Sequence, residues 1–95
     1  MACKIRFTDA ALADLEEILN YSWINFPGTT EKFGKALLDH LDVLQDFPYI
    51  GSLVPGGDGL RQLIHTSIII FYQVLDDGGA VEILEFRHSS GGRYR

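Results

Sequence analysis

From Ile68 to Leu75 the chain reads Ile-Ile-Ile-Phe-Tyr-Gln-Val-Leu, β-branched and aromatic with scarcely a polar break. A strand with one face in water would alternate, so this run predicts a strand over 67–75 covered on both faces. Asp76-Asp77-Gly78-Gly79 follows, and Asp and Gly tolerate the positive φ of a tight reversal. Apolar runs at 60–66 and 80–87 flank it and predict two successive hairpins, an antiparallel meander with its most hydrophobic strand in the centre. In the last strand Val81 and Ile83 are out of phase with Leu84 and Phe86, which calls for either a β-bulge near Ile83-Leu84 or burial on both faces.

Upstream the period changes. Cys3-Lys4-Ile5-Arg6-Phe7 alternates and predicts a short half-buried strand over 3–7. Thr8 or Asp9 can then cap a helix near 9–25, in which Leu12, Leu15, Ile18, Leu19 and Trp23 fall on one stripe. Phe26-Pro27-Gly28 ends it. A second helix near 29–47 carries Phe33, Ala36, Leu37, Leu41 and Leu44 on one face and stops before Pro48. The glycine- and proline-dense stretch 48–59 reads as a surface loop. The order is β-α-α-β-β-β: an α+β fold, with an antiparallel β-sheet packed against an N-terminal αα-hairpin, in a single domain over 1–95. Leu15, Ile18, Leu37, Leu41, Leu44, Ile70, Tyr72 and Val74 are the expected core. Tyr21, Trp23 and Phe26 exceed what one stripe of a short helix can bury, which predicts a partner on that helix.

Composition narrows the setting. Ninety-five residues, 46% of them hydrophobic, suffice for a core without metals or disulfides. One cysteine, Cys3, excludes an internal disulfide and fits a reducing cytoplasm. No run approaches the length of a membrane span. The net charge of −5 is uneven: eight acids (Asp9, Asp14, Glu16, Glu17, Glu31, Asp39, Asp42, Asp46) face Lys32 and Lys35 across the two helices, while only Arg87, Arg93 and Arg95 carry charge after Glu85. Such a field opposes non-specific binding to nucleic acid.

Little in the chain has the spacing of a catalytic motif. His40, His65 and His88 lie on different elements without ligand spacing, so no metal or cofactor is expected. Cys3 sits in a strand and reads as a structural thiol. Gly56-Gly57-Asp58-Gly59 precedes a strand rather than a helix and reads as a turn. The one cluster with chemical potential is Arg61 with Arg87, His88, Ser89, Ser90, Arg93 and Tyr94. Arginine can neutralise a phosphate while His and Tyr move a proton; the same residues also make an ordinary solvated surface.

Asp14-Leu15 with Ile18 and Tyr21, Phe33, Leu44-x-x-Phe47-Pro48-x-x-Gly51, Gly59-Leu60-Arg61, Ile70-Phe71-Tyr72-Gln73-Val74, Val81-Glu82-Ile83-Leu84 and His88 together resemble the RelE/ParE superfamily, the toxins of type II toxin–antitoxin (plasmid stabilisation) modules. The resemblance spans nearly the whole chain. It implies a toxin neutralised by a cognate antitoxin in a hetero-oligomer. RelE-like members cut mRNA on the ribosome with basic residues and a C-terminal tyrosine; ParE-like members inhibit DNA gyrase. Where the ribonuclease branch carries an arginine before the central strand's tyrosine motif, this chain has Ile69, and His88 takes the place of a later arginine. The acidic pI departs from the basic character that helps a ribonuclease approach ribosomal RNA, and the Arg-His-Ser-Ser ending looks more like the ParE branch. On that reading Arg61, Arg87, His88, Ser89, Ser90, Arg93 and Tyr94 contact gyrase. On the RelE-like alternative His88, Tyr94 and Arg61 are catalytic and the partners are ribosome and mRNA. A non-toxic binding module of the same fold is the third expectation.

Overall fold

The computed structural model describes residues 2–89. Strand β1 (Lys4–Phe7) leads into helices α1 (Asp9–Asn25) and α2 (Thr30–Asp46), followed by strands β2 (Ser52–Leu53), β3 (Arg61–His65), β4 (Ile68–Leu75) and β5 (Ala80–His88). The sheet order is β1-β5-β4-β3-β2, which puts the most hydrophobic strand at the centre. The fold is α+β, as the periodicity predicts. Two features go beyond that reading. The meander β2 to β5 is antiparallel, but β1 joins it in parallel alongside β5, with Ile5 opposite Val81. The stretch 48–59, read as pure loop, contributes β2, whose Leu53 pairs with Arg61.

Each helix begins and ends for a local reason. Thr8 caps α1, its hydroxyl accepting the Ala11 N–H at 3.0 Å. The Ser22 and Thr30 hydroxyls, 3.0 Å apart, tie the two helices beside the Phe26-Pro27-Gly28 reversal. In α2 the stripe Leu37, Leu41 and Leu44 is buried as its spacing requires. In α1 the buried face is Ala11, Asp14, Ile18 and Ser22, a quarter turn from the expected stripe; Leu12 and Trp23 are 50% and 63% exposed. The helix rolled because Asp14 and Ser22 have polar partners inside, so apolar periodicity alone misplaced its axis. Ile18, Leu37, Leu41, Leu44, Ile70 and Tyr72 form the core as expected, while Leu15 and Val74 pack against it half-buried.

The phase fault in β5 is a bulge. Phe71 pairs with Glu85 but Tyr72 pairs with Ile83, which leaves Leu84 as the extra residue. Ile83 and Phe86 thereby both reach the core. Because β1 ends at Phe7, β5 loses its neighbour at the same point, and α1 supplies substitutes: the Thr8 hydroxyl donates to the Leu84 carbonyl at 3.0 Å and the buried Asp14 carboxylate accepts the Phe86 N–H at 3.1 Å. Buried backbone groups are costly unless bonded, so these two side chains stand in for a missing strand.

Strand β4 is not covered on both faces. Ile68, Ile70 and Tyr72 are buried under the helices, while Ile69, Phe71 and Gln73 are half-buried on the far side. Among the described residues no second layer lies there. Polar side chains of β5 shade the apolar ones instead: the Arg87 guanidinium lies 5.2 Å from the centre of the Phe71 ring, and Gln73 donates to Glu82 at 2.8 Å.

Candidate functional site

Arg61 is the first site residue the strands place. It sits opposite Tyr72 and therefore on the helix-covered face. One of its guanidinium nitrogens donates to two loop carbonyls, Tyr49 at 3.0 Å and Gly51 at 2.7 Å, and the same group lies 5.1 Å from the centre of the Tyr49 ring. The Gly51 N–H donates to the Tyr72 hydroxyl at 2.8 Å. A Cβ on Gly51 would meet that hydroxyl at 2.5 Å and the Gln62 carbonyl at 2.6 Å, so the position has room for glycine alone. Burial raises the Tyr72 phenol above its ordinary pKa, opposed by the Gly51 bond and the Arg61 charge. Phe47-Pro48-x-x-Gly51, Gly59-Leu60-Arg61 and the tyrosine of the central strand thus converge on one clasp. It fixes the backbone of a loop whose side chains Phe47, Tyr49 and Ile50 are exposed.

Arg87 lies elsewhere. It pairs with Ile69 on the open face, ion-paired to Glu85 at 2.8 Å and stacked on Phe71. The two arginines therefore occupy opposite faces and do not form one surface. His88 shares the covered face with Arg61 but stands at the level of Ile68, four positions along β4 from Tyr72, which is about 13 Å at the rise of a strand. Ser89 follows it, its N–H donating to the Ser67 carbonyl at 2.8 Å. Ser90, Arg93 and Tyr94 lie outside the described residues.

The three histidines are less scattered than their spacing implies. His40 of α2 and His65 at the end of β3 meet with their Nδ1 atoms 2.9 Å apart, and the Phe33 ring packs beside His65. One ring donates and the other accepts. Burial first, and then the charge of a protonated His40, hold His65 below the ordinary histidine value. Sequence spacing could not reveal this pair, since 25 residues and a helix–strand contact separate its members. Among the described residues no group of three or more His, Cys, Asp or Glu side chains is placed to hold a metal. Cys3 is buried, its thiol donating to the Leu44 carbonyl at 2.9 Å, a structural role as expected.

Away from these contacts, exposed aromatic side chains border two depressions among the described residues. At the tip of the helical hairpin Tyr21, Ser22, Phe26, Thr29 and Phe33 line a shallow groove, with Trp23 and Ile24 exposed nearby. At the other end of α2, Asp46, Phe47, Pro48, Tyr49 and Ile50 line an open depression. Among the described residues no helix is long and apolar enough to cross a membrane.

Residues 5–91 match the family model described as the ParE toxin of the type II toxin–antitoxin system, parDE. No curated protein matches the chain in sequence. Among solved structures, a chain of the chromosomal ParDE toxin–antitoxin system from P. aeruginosa superposes with a TM-score of 0.76 at 20% identity, over 92% of this chain and 96% of that one. The RelBE2 toxin–antitoxin complex from Mycobacterium tuberculosis gives 0.69 at 20% identity, over 93% and 99%. The intact RelBE toxin–antitoxin complex from E. coli gives 0.58 at 19% identity, over 90% and 94%. At these identities the likeness is one of fold.

Proposed function

The chain belongs to the ParE toxin family of type II toxin–antitoxin systems, and from that premise we propose that it arrests growth by binding DNA gyrase and is held inactive by a cognate antitoxin. The observation that carries this reading is that Arg61, Arg87 and His88 do not converge on one reacting point. Arg61 is engaged in the clasp, Arg87 stacks on the opposite face, and His88 stands about 13 Å along the sheet from Arg61. General acid–base chemistry needs its groups within hydrogen-bond reach of the same reacting atoms. The position where a ribonuclease would carry an arginine is Ile69, beside Ile64 on β3. The acidic helices further oppose an approach to ribosomal RNA. On this reading Arg87 and His88, with Ser89, Ser90, Arg93 and Tyr94 beyond them, contact a protein.

The antitoxin takes the hairpin tip. Tyr21, Trp23 and Phe26 are exposed there beside the groove, and the surrounding helices are rich in carboxylates, which suits an amphipathic segment carrying Lys or Arg. The tip stands at the same end of the molecule as the root of the tail, because Phe33 and His40 reach His65, which pairs with Ile68 opposite His88. A segment seated at the tip therefore stands at the same end of the sheet as His88. Co-expression with the antitoxin is expected to give one co-eluting complex; separate elution at micromolar concentration overturns the partner.

Induced expression in cells, followed by assays of supercoiling and of mRNA decay, separates the readings. Growth arrest with inhibited supercoiling supports the gyrase reading. Ribosome-dependent cleavage that disappears in Tyr94→Phe establishes the RelE-like ribonuclease, and no arrest at all establishes a non-toxic binding module. Deleting residues 89–95 is expected to abolish arrest and leave folding intact, whereas His88→Gln weakens it only modestly, as one side chain in a contact surface does.

A further inference from the structure

We infer that the lobe Phe47–Ile50 is a docking epitope for the toxin's protein target, fitting an apolar socket edged by lysine or arginine. The inference rests on the proposed function and extends it to a surface outside the tail. The lobe is unusual in being exposed outside and fixed inside. Phe47, Tyr49 and Ile50 are 62%, 53% and 55% exposed. Beneath them the Phe47 N–H bonds to Val43, the Ile50 N–H to the Phe47 carbonyl, the Gly51 N–H to Tyr72, and Arg61 to the carbonyls of Tyr49 and Gly51. A large apolar epitope on a prearranged backbone loses little conformational freedom on binding, and aromatic side chains in such settings dominate interface energetics. Arg61 acts here as a positioning residue: it holds the Tyr49 ring from behind.

Charge selects the partner's class. Asp46 lines the depression, and the exposed Asp76 and Asp77 belong to the turn whose Gly78 lies against Tyr49. Both aspartates adopt positive φ, 54° and 52°, and the turn is closed by the Gly79 N–H on the Asp76 carbonyl at 3.0 Å. One carboxylate in the depression and two on the neighbouring turn outweigh the single guanidinium of Arg61 behind Tyr49, so the lobe repels a phosphate backbone and complements a cationic rim on a protein. The lobe also lies at the opposite end of α2 from the hairpin tip, about 25 Å away for a helix of 17 residues. Antitoxin at the tip and target at the lobe therefore use separate surfaces.

The test uses the full-length toxin freed of antitoxin, with Phe47→Ser/Ile50→Ser as the variant, since both residues give only backbone to the bonds beneath the lobe. The concentration that half-inhibits gyrase supercoiling is expected to rise at least about tenfold, the effect of losing an interface anchor, with antitoxin affinity within about twofold of wild type. Asp76→Asn/Asp77→Asn keeps residues that tolerate positive φ and is expected to weaken inhibition by about threefold and flatten its salt dependence. Ile50→Ser alone carries the same test if the double serine variant does not fold. Inhibition by the serine variant within about twofold of wild type overturns the inference, and so does an equal loss of antitoxin affinity, which would give the lobe to the antitoxin. A wild-type toxin that leaves gyrase untouched overturns the proposed function and this inference with it.

Discussion

The two ends of α2 both present aromatic side chains to solvent, yet they are built differently. At the hairpin tip the Ser22–Thr30 contact is joined by bonds exposed to water, the Thr29 and Thr30 hydroxyls each donating to the Phe26 carbonyl at 3.2 Å. At the other end a glycine without room for a Cβ, a buried tyrosine hydroxyl and an arginine on two carbonyls fix the loop. Exposed side chains and a bonded backbone are common to both; buried anchors belong to the lobe. Water competes for the bonds at the tip, so a partner that brings its own order can exchange them, whereas the lobe's anchors lie out of reach.

Substitutions can break this contrast. Gly51→Ala should do most, about 3 kcal/mol of destabilisation or more, since the new Cβ collides with backbone as well as with Tyr72; a midpoint in urea close to wild type would show that the clasp yields. Tyr72→Phe removes the hydroxyl that Gly51 bonds in a buried setting and should cost about 2 kcal/mol. Arg61→Ala leaves carbonyls that water can partly satisfy, so about 1 kcal/mol is expected, together with faster amide exchange in residues 49–51.

At the end of β3, beside His40 of α2, His65 provides a pH test. Its folded pKa lies below the ordinary histidine value, so the unfolded chain binds the proton more readily. Its contribution to stability is full above about pH 6.5 and is lost as pH falls from there toward the lower folded pKa. Melting temperatures measured between pH 7.5 and pH 5.5 should drop less in His65→Gln than in wild type; parallel curves would refute the assignment. Trp23→Ser at the tip should leave stability within about 0.5 kcal/mol while weakening the antitoxin complex.

The strands and helices were legible because their signals are local. The Ile68–Leu75 run, the proline after Phe47 and the out-of-phase Leu84 each predict a feature the structure contains. Partners distant in sequence were not legible. Asp14 looks like a surface acid on a helix until Phe86, 72 residues later, supplies an N–H that has lost its strand neighbour. His40 and His65 meet for a similar reason. Arg61 illustrates the harder case: its chemistry suited phosphate or target binding, and only the positions of two carbonyls reveal that it works through the loop. The parallel place of β1 was also hidden, because a four-residue strand carries no mark of which neighbour it will choose.

That place has a consequence in time. Ile5 is made 76 positions before its partner Val81, so the seam between β1 and β5 cannot close until the helices and the other strands have been made. At about 5–20 residues per second, synthesis leaves β1 without its partner for roughly 4–15 s. Through that interval the hairpin can form from contacts close in sequence, while Thr8 and Asp14 still await Leu84 and Phe86. A toxin assembled in this order offers the hairpin tip, the surface assigned to its antitoxin, before the sheet beneath it is complete.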